Sequence, residues 1–469
     1  MADWRPALTP GTPVPEGAST PVRHRRAARR AQDREIARLA VPAFAALVCE
    51  PLFLLADSAI VGHLGTAQLA ALGIAGAVVQ TAVGLFIFLA YGTTSAVARG
   101  VGVGARDSAL AAGVDGMWLS TVIGALTAAI CWVLSTTVVH ALTSDAAVRR
   151  FAVTYLHIAA LGIPALLLML AATGVLRGLQ NTRTPLAVAV IANLANIVLN
   201  LLFVYGLRWG IAGSAAGTLL AQVGAAAVLT LVVGRTARRY AARLSPHACG
   251  IRRAFAVGLP LLVRTLTLRV ALLIATYVAA AISTTAVAAH QVAFTVWTFL
   301  AFALDAVAIA GQAITGRLLG ASDAVGARAA TRRMMQWGVA SGVVSGALVA
   351  LARPLVVPLF SSDTDVQHLL STVLLIVAVQ QPVAGVVFAL DGVLIGAGDG
   401  SYLATAGIAT LVVFAPLAFT VLWLGLGLAW LWWAFAAFMV ARLATLLWRA
   451  RSDDWLVLGA GARTPRPRG

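Results

Sequence analysis

The chain has 469 residues, 60% of them hydrophobic and only 11% charged, with a formal net charge of +17. A soluble chain of this size carries about 25% charged residues, so the composition excludes a soluble protein, and a mean hydropathy of +0.91 agrees. All 34 basic residues are Arg; with no lysine there is neither a Walker A phosphate loop nor a pyridoxal-phosphate Schiff base, and ATP hydrolysis on this chain is excluded. The net charge is read as membrane topology, and no nucleic-acid partner is expected.

Residues 1–35 are polar, rich in Pro and Arg, and lack an apolar h-region. They are expected to form a basic, disordered cytoplasmic tail and not a signal peptide. The stretch Arg23–Arg38 is expected to lie on anionic lipid or to act as a retention signal. A bilayer core needs about 20 apolar residues per helix. On that scale the first half spans the membrane near 36–62, 68–98, 109–139, 151–177, 185–206 and 211–234. The second half spans it near 254–282, 286–316, 327–351, 367–396, 402–423 and 427–449. The expected organisation is an N-lobe over 36–234, a cytoplasmic inter-lobe loop over 235–253, a C-lobe over 254–450 and a cytoplasmic tail over 451–469. With the N-terminus inside, the cytoplasmic loops hold fourteen Arg, and the outer loops hold only Arg149, Arg150, Arg208 and Arg353. The positive-inside rule then places both termini in the cytoplasm. Trp423, Trp430, Trp432, Trp433 and Trp448 read as interfacial aromatics. Cys49 and Cys131 lie in apolar runs and Cys249 in a basic loop, so no disulfide framework is implied.

The two halves repeat at an offset of 218 residues. Pro42 falls on Pro260, Thr66 on Thr284, Arg99 on Arg317, Gly102 on Gly320 and Pro164 on Pro382. The Gly174, Val175, Leu176 and Gly178 group falls on Gly392, Val393, Leu394 and Gly396. Six spans per half make the repeats parallel. The fold class expected is therefore an all-α polytopic membrane protein: twelve transmembrane helices in two six-helix lobes about a pseudo-twofold axis along the membrane normal. A substrate site would lie between the lobes near the midplane. Pro42, Pro51, Pro164, Pro260 and Pro382 are expected to shape the helices.

Four segments carry a family resemblance. They are Leu-Ala-Asp-Ser-Ala-Ile-Val-Gly-His-Leu-Gly (55–65) with Leu-Ala-Ala-Leu-Gly (69–73), Ala-Ala-His-Gln-Val (288–292), Arg-Gly-Leu-Gln-Asn-Thr-Arg-Thr-Pro-Leu (177–186), and Ala-Leu-Asp-Gly-Val-Leu-Ile-Gly-Ala-Gly-Asp (389–399). In order and spacing they resemble the multidrug and toxic compound extrusion family, in particular its DNA-damage-inducible F branch, over residues 36–450. The resemblance implies export of amphipathic, often cationic, compounds in exchange for H⁺ or Na⁺ by alternating access. It implies no cofactor beyond the coupling ion, a small organic molecule and the bilayer as partners, a monomer, and a bacterial inner membrane.

A charge at mid-bilayer costs at least about 2.5–3.5 kcal/mol, so each one needs a reason. The apolar spans hold Glu50, Asp57, Arg264, Arg269, Asp305 and Asp391, whose counterparts at the offset are Leu268, Ala275, Ala46, Pro51, Ile87 and Thr173. The charges are thus no part of the repeated scaffold. The placement of Asp57, 15 residues past Pro42, resembles the coupling carboxylate of proton-linked relatives. A carboxylate whose surroundings alternate between buried and wet alternates its proton affinity, as proton-driven exchange requires; the alternative is a hydrogen-bonded acid that ties helices together. Asn193, Asn196 and Asn200 share one helical face. Relatives often carry an acid at the last of these positions, and Asn here argues against a Na⁺ site, because hard cations want anionic oxygen. Interhelical amide bonding is the other role open to this face. Glu50 lies two turns before Asp57, as a second titrating acid or a paired structural one. Arg264 and Asp305 lie at one depth, about 15 Å in, and are expected to pair; otherwise Arg264 or Arg269 faces the cavity. Asp391 near the end of its span is weaker evidence. His63, His157 and His290 could titrate near neutral pH, and for His63 and His290, at helix ends, backbone capping is the commoner role.

No metal motif and no serine-nucleophile elbow occurs, so neither a metal site nor an enzyme is expected. The function expected is a secondary antiporter that exports amphipathic or cationic compounds for H⁺, less readily Na⁺, with Asp57 as carrier. The alternatives are a flippase for a lipid-linked precursor, which would want a strongly cationic cavity, and an intramembrane enzyme.

Overall fold

The protein is described by a computed structural model covering residues 21–459, with side chains from Arg29 onward. In the first half the helices are α1 (Pro21–Gly62), α2 (Thr66–Leu85), α3 (Phe88–Val103), α4 (Arg106–Leu142), α5 (Ala146–Ala160), α6 (Ile163–Gly178), α7 (Arg183–Leu201) and α8 (Ile211–Arg239). In the second they are α9 (Ala248–Ile282), α10 (Thr284–Gly320), α11 (Ala324–Phe360), α12 (Thr364–Gly396), α13 (Gly400–Trp423) and α14 (Leu428–Arg451). Among the described residues, eleven helical stretches are long and apolar enough to cross a bilayer, and α5 with α6, bent by 46°, makes the twelfth span. The fold is thus all-helical, with six spans in each lobe.

Two expected spans are broken. The fourth bends at Leu161–Gly162, two residues before Pro164, whose ring supplies no backbone donor to the turn before it. The second breaks between α2 and α3 at Phe86–Ile87, where the Phe86 amide donates to Val83 O three residues back. In the C-lobe the equivalent of Pro164, Pro382, lies inside the continuous α12. Pro42 and Pro51 lie inside α1, and Pro260 inside α9. Repeat symmetry extends to capping. Asp145 accepts the Ala147 and Val148 amides at the start of α5, and Asp363, 218 residues on, accepts those of Asp365 and Val366 at the start of α12.

The helices run past their apolar stretches. Residues 21–35, expected as disordered tail, are the first turns of α1, and they are anchored: Asp33 takes a two-point salt bridge from Arg333 at 2.6 Å, and Glu35 pairs with Arg317 at 2.6 Å. The rest of that tail, residues 1–20, lies outside the described residues, as do 460–469. The loop expected over 235–253 narrows to 240–247, because α8 continues to Arg239 and α9 starts at Ala248. Trp432 is not interfacial; it is 2% exposed and packs on His290 and Phe435, whereas Trp423, Trp430, Trp433 and Trp448 are exposed.

Both termini emerge at one end of the bundle, called here the terminal end, and the lobes close on each other there. Helices α3 and α10 cross at Gly102 and Gly320, one of the repeat pairs. A Cβ on Gly102 would stand 2.1 Å from Arg317 O, and a Cβ on Gly320 would stand 2.1 Å from Arg99 O. Only glycine allows that approach from both sides. Ser95 donates to Gly396 O at 3.2 Å, and Arg99 to Ala397 O at 2.7 Å and Val457 O at 2.9 Å. The segment after α14 straps across this crossing, with Trp455 1% exposed and the Gly459 amide bonded to Leu319 O at 2.9 Å. On the far half, the repeat-related Leu55 and Leu273 are 67% and 68% exposed.

Candidate functional site

Asp57 lies in the half of α1 away from the terminal end, 3% exposed, facing α5, α7 and α8. Its Oδ1 accepts from Asn200 Nδ2 at 2.8 Å and from Ser214 Oγ at 2.7 Å. Tyr155 of α5 lies against the same carboxylate. Asn200 also donates to Asn196 Oδ1 at 3.1 Å, and Asn196 donates to Thr218 Oγ1 at 3.0 Å. The two amides four residues apart on α7 therefore form a chain from Asp57 to α8. The third, Asn193, points elsewhere on the same helix and donates to Cys49 O at 3.0 Å, tying α7 to α1.

Every group around Asp57 is neutral, and no described cation forms an ion pair with it. An isolated ionised carboxylate is costly in such surroundings. Among the described residues no group of three His, Cys, Asp or Glu side chains is placed to hold a metal. Glu50 is exposed on α1 and makes no hydrogen bond or ion pair with a described residue.

The charges of the C-lobe are arranged differently from expectation. Arg264 does not pair with Asp305. Its Nη2 donates to Asp391 Oδ2 at 2.6 Å, and Arg442 of α14 pairs with the same oxygen. Asp391 is only 4% exposed and is the hub of this triad, which joins α9, α12 and α14. Equal depth was the right condition for an Arg264–Asp305 pair, but depth says nothing of azimuth. Asp305 on α10 turns toward the lobe boundary, within electrostatic reach of Arg177 of α6 as well as Arg264. Arg269 is exposed on α9. His63 Nδ1 caps Ala59 O at 2.7 Å as expected, His157 meets Ser135 at 2.6 Å, and His290 is buried against Thr276, Phe294 and Trp432 and caps nothing.

Sequence reasoning missed Ser214, Tyr155 and Thr218, which are unremarkable polar residues in a membrane helix. It also missed Arg442 and Asp115, which lie inside expected spans and meet the same criterion as the acids and bases it did find. Asp115 is 4% exposed and accepts from Arg243 and from the His247 amide, fastening the inter-lobe loop.

Two parallel six-helix lobes, closed at one end and holding a sequestered acid in one lobe, define a polytopic membrane transporter. The model of the MatE family matches residues 42–202 and 260–420, two segments in the register of the 218-residue repeat, and the chain belongs to that family, the multidrug and toxic compound extrusion transporters. Among its relatives, Protein DETOXIFICATION 44, chloroplastic, of Arabidopsis thaliana is 30% identical over 92% of this chain and 85% of its own length. DNA damage-inducible protein F of Escherichia coli (strain K12) is 29% identical over 90% of this chain and 94% of its own. Among solved structures, a MOP superfamily transporter from Pyrococcus furiosus superposes with a TM-score of 0.81 at 23% identity, covering 89% of this chain and 95% of that one. That likeness shares the two-lobed fold.

Proposed function

We propose that this chain is a proton-driven antiporter that exports amphipathic organic compounds by alternating access, with Asp57 as the proton carrier. The observation that carries the proposal is a buried carboxylate held, among the described residues, only by neutral hydrogen-bond donors and paired with no cation. Inside the first lobe, a proton is the smallest charge that removes the penalty. Na⁺ is disfavoured by the ligand set: Asn200 and Ser214 turn hydrogens, not oxygens, toward Asp57, and hard cations want several oxygens, anionic ones above all. The arginines gathered at the terminal end support a reading in which that end, with both termini, faces the cytoplasm of a bacterial inner membrane, by the positive-inside rule.

The driving force suffices. For an uncharged cargo, one proton entering through ~100 mV supplies about 2.3 kcal/mol, and one pH unit adds about 1.36 kcal/mol. Their sum, about 3.7 kcal/mol, sustains a gradient of several hundredfold.

The test uses purified full-length protein in liposomes loaded with a fluorescent amphiphile, with pH and Na⁺ gradients imposed separately. Efflux driven by the pH gradient and lost in Asp57→Asn supports the proposal. Efflux driven by Na⁺ alone would overturn the choice of ion. Undiminished pH-driven efflux by Asp57→Asn would overturn the choice of carrier.

A further inference from the structure

Of the arginines inside the second lobe, Arg264 and Arg442 share the single carboxylate of Asp391 as an ion-pair partner. Arg269 does not: it is exposed and makes no hydrogen bond or ion pair with a described residue. It stands 21 residues into α9, about 30 Å along the helix from Ala248 at the terminal end. Its guanidinium reaches toward the other lobe. The place a Gly84 side chain would take is 2.7 Å from Arg269 Nη2, and nothing but this guanidinium lies within 4 Å of it. Gly84 is in the last turn of α2, just before the break. The C-terminal end of α2 carries a partial negative charge, but no hydrogen bond from a described residue ties the guanidinium down there. An unpaired Arg at this depth faces a water-filled cavity, not lipid tails. With the terminal end closed, that cavity is the inter-lobe cleft.

We propose that Arg269 is the cargo-recognising residue and that the cargo is an amphipathic organic anion, its carboxylate, sulfonate or phosphate oxygens paired with the Arg269 guanidinium. Planar guanidinium forks match such oxyanions two bonds at a time. Leu266, Leu273 and Tyr277, exposed on the same side of α9, offer apolar surface for the body of the molecule. Asp57 does not oppose this assignment, because it is sequestered inside the first lobe. Glu50, the exposed acid of α1, stands on the first lobe. The inference rests on the antiport proposal and departs from the cationic cargo that the family resemblance implies. It also changes the energetics. Exchange of a cation for one H⁺ moves no net charge, whereas export of a monovalent anion against one entering H⁺ moves two. Each charge moved through ~100 mV is worth about fortyfold in gradient, so anion export gains roughly two-thousandfold from the potential alone.

The experiment measures equilibrium binding to the purified full chain by fluorescence polarisation, with an anionic naphthalenesulfonate dye and a cationic acridinium dye of similar size. Binding needs no proton gradient, so it separates cargo recognition from coupling. The anionic dye is expected to bind. Arg269→Gln should weaken it at least tenfold, Arg269→Lys should retain part of the affinity, and Asp57→Asn should still bind while losing pH-driven efflux. A thermal melt of each variant separates lost binding from lost folding. The proposal is overturned if the anionic dye does not bind, if Arg269→Gln binds it as well as the parent does, or if the cationic dye alone binds. If binding behaves as expected but Asp57→Asn still couples, the proton-carrier proposal fails and the cargo assignment stands.

Discussion

The α3–α10 crossing makes a quantitative prediction about the conformational equilibrium. In Gly320→Ala, the added methyl carbon would lie 2.1 Å from Arg99 O, well inside a normal carbon–oxygen contact. The helices must part by more than 1 Å or the closed terminal end must open. Overpacking of this kind costs about 1–3 kcal/mol, charged against the closed-end state alone because the contact exists only there. A coupling of that size shifts the balance between the two states about 5–150-fold toward the state open at the terminal end. Gly102→Ala meets Arg317 O at the same 2.1 Å and should shift the equilibrium by a similar amount. Gly73→Ala is the control, since nothing lies within 4 Å of a Cβ there. Spin labels at Ser108 and Val325, exposed on opposite lobes at this end, report the separation by electron–electron distance measurement in lipid nanodiscs. The expected result is a longer-distance population in both crossing variants and an unchanged distribution in the control. Identical distributions in all three proteins would refute the idea that this glycine contact closes the terminal end.

Three further outcomes follow from the same geometry. Asp391→Asn leaves the Arg264 and Arg442 guanidiniums buried without their shared counter-charge; loss of one partner of a buried pair costs about 3–5 kcal/mol, and thermal unfolding in detergent should show a clear fall in midpoint. Asn200→Asp places a second carboxylate beside Asp57, and isothermal titration should then detect Na⁺ binding that the parent protein lacks. Ending the chain at Arg451 removes Trp455 and the Val457 carbonyl that Arg99 holds; the Ser108–Val325 distance should lengthen as it does in Gly320→Ala.

How much of this was legible in the sequence depends on whether one residue or a pair carried the signal. Twelve spans, two lobes and the parallel repeat were legible because Pro, Gly and Arg recur in one register. The repeat even marked the α3–α10 crossing, since Gly102 and Gly320 are one of its pairs, although nothing in the sequence says that they touch. Asp57 was legible because an acid in an apolar run needs a reason. Its partners were not: Ser214 and Tyr155 are inexpensive in a membrane and acquire meaning only when α5 and α8 pack against α1. The Arg264 partner was misassigned for a related reason, since helix position fixes depth but the facing neighbour is fixed by packing. Helix ends were underestimated because hydropathy marks the hydrocarbon core, whereas α1 continues as a solvated helix fastened by Asp33 and Glu35.

Asp57 is proposed as the group that exchanges a proton for cargo, and proton counting is the sharpest check of that role. Cargo is added to the purified protein in weakly buffered detergent solution, and released protons are read with a pH-sensitive dye. Release of about one proton per chain, the capacity of a single carboxyl group, is expected, and none from Asp57→Asn that still binds cargo. Equal proton release from Asp57→Asn would contradict that role.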